Sequence, residues 1–98
     1  MVLDEFDRGY LENLIDREIK LVPSTMELAR MPRYQKEWQI KSDADLVLGW
    51  AVGDIFTGFG MYYSNLHKET LPSEDLDQAV DIVIKRVREI REAIFKCG

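Results

Sequence analysis

The chain has 98 residues, 46% of them hydrophobic and 32% charged, with a formal net charge of −5 at neutral pH. That length supports one modest core and not two, so residues 1–98 read as a single domain. The acidic excess argues against general affinity for nucleic acid or an anionic membrane, since each calls for a basic surplus.

Residues 3 to 22 read as an amphipathic helix. Leu3, Phe6, Tyr10 and Leu14 follow three-to-four spacing, and so, one position over, do Leu11, Ile15, Glu18 and Val22. Asp4, Glu5 and Asp7 suit the positive end of that helix, and with no apolar run behind them no secretory signal is expected. Pro23 is expected to end the helix, because it restricts Val22 and lacks an N–H. Ser24-Thr25-Met26-Glu27 then has the form of a capping box, which predicts a second, short helix from Thr25. Pro32 should stop that helix and open a third short one, from Pro32 to Lys41, set at an angle. This segment gathers Arg30, Arg33, Lys36 and Lys41 against the single acid Glu37, with Tyr34 and Trp38 interleaved. Arg30, Arg33, Tyr34, Lys36 and Trp38 are therefore the candidate surface for a protein partner, against the plainer reading that the rings cover the core and the charges are solvated.

Ser42-Asp43-Ala44-Asp45 repeats a cap signal and places the start of a central helix near Asp43, running to about His67. Within it, residues 46 to 63 read LVLGWAVGDIFTGFGMYY, eighteen positions with Asp54 as the only charge. A helix apolar around most of its circumference is expected to be covered on several sides. Each glycine costs about 1 kcal/mol against alanine in a helix. The glycines here, with Gly49 and Gly53 on one face, predict close approach of a neighbouring backbone, and Gly58 and Gly60 offer a place for a break. A membrane span is disfavoured by Asp54 near the middle of the stretch and by acids on both flanks.

Pro72 marks the next connection, with Ser73 as the expected cap. Residues 74 to 97 form the clearest helix, acids first and bases last, as the helix dipole favours. Leu76, Val80, Val83, Val87, Ile90 and Ile94 are spaced four, three, four, three, four, an a/d seam. Val80, Val83, Val87, Ile90 and Ile94 are the expected seam of a twofold homodimer, with Ile82, Ile84 and Phe95 lying off it.

Chemistry is sparse. The glycines lie inside a helical run, not in a phosphate-binding loop, and with one histidine and one cysteine none of the usual zinc ligand sets assembles within one chain. No metal, no cofactor and no catalytic motif is expected. Cys97 allows no internal disulfide, so a reducing cytoplasm is the expected setting. The candidate ligand residues are Asp54, Trp50, Thr57 and His67, because an acid in the most apolar helix must pair with a cation, line a pocket or lie at an edge. The expected architecture is an all-α bundle of three long helices and a short broken helical segment, dimeric through the last helix. The expected role is a small non-enzymatic interaction or regulatory domain; the alternative is a small-ligand or metal-binding bundle with an internal pocket around Asp54.

Overall fold

The structure, a computed structural model, describes residues 3–98. Its four helices are α1 (Glu5–Ala29), α2 (Pro32–Glu37), α3 (Asp43–His67) and α4 (Ser73–Lys96), and the described residues contain no strand. The fold is all-α. Helices α1 and α4 run side by side in the same direction and α3 runs against both. At one end Leu3 N–H donates to Gln78 Oε1 at 2.7 Å, midway Arg86 reaches Glu12 and Asp16, and at the far end Arg30 bonds the carbonyls of Cys97 and Gly98. The body measures 44 × 25 × 17 Å, so each long helix has two helical neighbours and one open side.

The core follows from one stripe per helix. Helix α3 contributes Val47, Ala51, Ile55, Phe59 and Tyr63, four apart; α1 adds Leu11, Ile15, Val22 and Met26; α4 adds Ala79, Val83, Ile90 and Ile94. The buried series on α1 starts one residue later than the sequence pattern indicates, since Phe6 is 82% exposed and Asp7 is buried in its place.

Pro23 does not end α1, and no second helix starts at Thr25. The helix runs through Pro23 to Ala29 because Val22, Met26 and Ala29 all fall on the core stripe, while the proline ring points to solvent. Burying those side chains contributes about 1.5–3 kcal/mol for each of the larger two, which offsets the roughly 3 kcal/mol that an interior proline costs. Ser24 and Glu27 are accordingly exposed mid-helix residues and not a capping box. The chain turns at Met31, which Pro32 holds extended at φ −63°, ψ 128°. Helix α2 then lasts only to Glu37 and buries none of its residues.

Helix α3 starts as its cap signal indicates, with Ser42 Oγ accepting from Asp45 N–H at 3.2 Å, and it passes Gly58 and Gly60 without a break. It is covered on one side only, not on several. Gly49 and Gly53 meet no neighbouring backbone, and a Cβ built at Gly49, Gly53 or Gly60 would touch nothing within 4 Å; at Gly58 alone it would meet a side chain, Leu14 at 3.5 Å. Helix α4 is preceded by Pro72 and has no side-chain cap, so Ser73 is its first helical residue and not its cap. Of the expected dimer seam, Val83, Ile90 and Ile94 are buried in the chain's own core, and Val80 and Val87 are half-buried. No described helix is long and apolar enough to cross a membrane.

Candidate functional site

Three helix ends meet where α1 and α4 begin and α3 stops. Asp4 caps α1 by accepting from Asp7 N–H at 2.7 Å. Asp7, only 2% exposed, accepts from the Tyr62 hydroxyl at 3.1 Å and lies 3.1 and 3.2 Å, through its two oxygens, from His67 Nε2. A ring nitrogen facing two carboxylate oxygens must carry the hydrogen, so His67 is the donor. One residue from Tyr62, the Tyr63 hydroxyl donates to Asp75 Oδ2 at 2.9 Å, and the Tyr63 ring lies on His67 with centroids 4.1 Å apart. Tyr10 stacks on Tyr62 at 3.9 Å. Burial first, and then the carboxylates they bond, push both Tyr62 and Tyr63 hydroxyls up to about 12. Asp75, 1% exposed, has no partner for its second oxygen, Oδ1, among the described residues.

The candidate ligand residues do not converge. His67 is thirteen positions beyond Asp54 on the same helix, about 20 Å along its axis. Asp54, Trp50 and Thr57 are all exposed, so no internal pocket forms around Asp54. What Asp54 meets is Glu18. That acid is 4% exposed, its Oε2 has no hydrogen-bonding donor among the described residues, and the nearest cation, Arg17, stands off at 3.8 Å. Burial, followed by a hydrogen bond to Asp54 and the repulsion of its charge, pushes the Glu18 carboxyl up to about 7. Below that value Glu18 is mostly protonated and can donate to Asp54.

The outer side of α3 is the second notable surface. Gly49, Trp50, Gly53, Thr57, Met61 and Ser64 all face solvent there, with Trp50 40% and Met61 63% exposed. Shallow hollows flank it, one floored by Gly58 and Leu14 beside α1, the other by Phe56 and Gly60 toward Leu71. Asp54 is the only charged side chain on this face between Asp45 and His67, whereas the outer faces of α1 and α4 alternate acids and bases.

The basic aromatic segment buries none of its helical residues, and Tyr34 is half-buried. Tyr34 and Trp38 pack on each other at 4.9 Å, Arg33 is 3.6 Å from Glu37, and Lys36 is solvated. Arg30 is committed elsewhere, with Nε donating to Asp43 Oδ2 at 2.7 Å, a bond that holds the Asp43 carboxyl below its ordinary range.

The residues that sequence reasoning missed are Asp7, Asp75 and the partnership of Glu18 with Asp54. A signal existed for the burial of Asp7, Glu18 and Asp75, though not for the pairing of Glu18 with Asp54. Asp7, Leu11, Ile15, Glu18 and Val22 form one three-to-four series, and Asp75 stands four before Ala79 and eight before Val83. A scan against protein-family models finds no match, and searches of curated proteins and of solved structures return none.

Proposed function

We propose that this chain is a small, non-enzymatic interaction domain of the cytoplasm whose working surface is the outer face of α3, and that its partner there is a second copy of itself. The observation that carries this reading is a set of three helical glycines, Gly49, Gly53 and Gly60, that no neighbour within the chain requires. Together they cost the helix about 3 kcal/mol against alanine, with no packing gained inside the monomer. Bulky Trp50 and Met61 lie among them.

The spacing of this face supports a second copy as the partner. Leu46, Trp50, Gly53, Thr57, Gly60 and Ser64 are spaced four, three, four, three, four, so the face is itself a seam for a second helix. When two such helices pair antiparallel about a twofold axis level with Ile55, Trp50 of each falls opposite Gly60 of the other. In that register Gly49 lies across from Met61, Gly53 from Thr57, and Leu46 from Ser64. Large side chains meet small ones along the whole seam, as self-complementary interfaces require. Asp54 is the only charge on the face, so no oppositely charged partner is built in, and the twofold axis level with Ile55 brings the Asp54 carboxyls of the two copies near each other.

Sedimentation of the purified chain at micromolar concentration tests this. The wild type should run as a dimer, and Gly60→Leu, whose Cβ meets no described atom within 4 Å in the monomer, should run as a monomer with an unchanged helical circular dichroism spectrum. A monomeric wild type, or a Gly60→Leu variant that dimerises as tightly, would overturn the reading.

A further inference from the structure

We propose that Asp4, Asp7 and His67 form a site for a divalent first-row transition-metal ion that joins the start of α1 to the end of α3. One ligand atom from each residue lies within 4.8 Å of the other two. His67 Nε2 stands 3.1 and 3.2 Å from the two Asp7 oxygens, and ligands held at about 2.1 Å around a tetrahedral ion stand about 3.4 Å apart. The pair therefore opens only slightly to admit an ion. The ion takes the place of the hydrogen on Nε2, and the imidazole stays neutral with its hydrogen on Nδ1.

The surroundings are those of a ligand set. The Tyr62 hydroxyl donates to Asp7 Oδ1 and fixes that carboxylate, the outer-sphere contact that metal-bound carboxylates generally keep. Asp4 is exposed and provides the way in, with Oδ1 held by Asp7 N–H and Oδ2 unengaged among the described residues. His67 is the last residue of α3, whose negative end favours a cation.

An independent observation points the same way. Asp75, nearly inaccessible to solvent, has an oxygen with no partner among the described residues, and its other oxygen bonds the tyrosine whose ring covers His67. Among the described residues, the donors at this end leave one oxygen of this buried acid uncompensated. One imidazole nitrogen with two carboxylates suits zinc, manganese, iron or cobalt, and not calcium or magnesium, which are bound by oxygens.

The test is calorimetric titration of Zn²⁺, and separately Mn²⁺, into the metal-free full chain, together with thermal unfolding in the presence of each ion. One ion should bind per chain and raise the unfolding temperature. Asp4→Ser keeps a cap for Asp7 N–H while removing the carboxylate, and His67→Gln removes the nitrogen ligand; each should weaken binding about tenfold or more, with helical content unchanged. Should His67→Gln fail to fold, Asp4→Ser alone decides, since its position is exposed. Absence of saturable one-to-one uptake up to about 100 µM ion, or uptake unaltered in the folded variants, would overturn the site.

Discussion

Asp7 and Glu18 stand eleven residues apart on the same buried stripe of α1, both almost inaccessible to solvent, and the fold treats them in opposite ways. Asp7 lies in the first turn, where the helix dipole favours an acid, and takes hydrogen bonds from Tyr62 and His67. Glu18 lies mid-helix, with a second carboxyl as its neighbour and an arginine at 3.8 Å that gives it no hydrogen bond. Depth is the same in both places. What differs is the supply of donors: Asp7 has them and anchors its neighbours, whereas Glu18 lacks them and its carboxyl is pushed up to about 7.

The largest expected effect comes from removing the anchor. Asp7→Ala leaves the Tyr62 hydroxyl and the His67 ring without their acceptor in a largely desolvated place and should cost about 3 kcal/mol, read from urea unfolding with a chelator present. A loss below about 1 kcal/mol would mean that water replaces Asp7 readily and that the two acids differ less than their partners indicate.

Glu18→Gln tests the other half of the comparison and should act in the opposite direction. The Glu18 carboxyl titrates at about 7 in the fold against an ordinary value of 4.5. Below the ordinary value it is protonated in both folded and unfolded chains and pH has no leverage. As pH rises from there through 7, the unfolded chain releases the proton first, so stability falls and then levels off above 7. The full shift corresponds to about 3 kcal/mol, and about 2 kcal/mol remains once solvent on the Asp54 side screens the charge. Glutamine keeps the shape of the protonated acid, so the variant should match wild type at pH 4.5 and exceed it by that amount at pH 8. An equal difference at both values would show that Glu18 ionises without cost.

The same two residues show how far the sequence can be read. The all-α class, the cap at Ser42, the extent of α3 and the dipole order of α4 are local patterns, and the structure follows them. Pro23 is different, because its local rule loses to burial of Val22 and Met26 by helices distant in sequence. Gly49, Gly53 and Gly60 of α3 fulfil no packing role among the described residues of the monomer, since a sequence pattern records that a face is small without recording whose face it meets. Asp7 and His67 are sixty residues apart and become neighbours only through the antiparallel arrangement of α1 and α3. Glu18 was visible as a member of an apolar series, yet its pairing with Asp54 depends on the rotation of α3 about its axis, which its nearly all-round apolar character leaves undetermined.

The smallest expected effect is the one that separates the causes at Glu18. Asp54→Asn removes the neighbouring charge and leaves an amide that accepts from the protonated Glu18 or donates to the ionised one. If burial is the larger cause of the raised value, as the inaccessible setting of Glu18 implies, most of its pH dependence persists, and the variant gains only about 1 kcal/mol at pH 8 and nothing at pH 4.5. Paired unfolding curves for Asp54→Asn and Glu18→Gln at the two pH values measure this directly. Should Asp54→Asn abolish the whole dependence, the neighbour's charge would be the cause and not the want of donors. Asp7 and Glu18 would then differ by repulsion, and a donor placed beside Glu18 would no longer be expected to make it resemble Asp7.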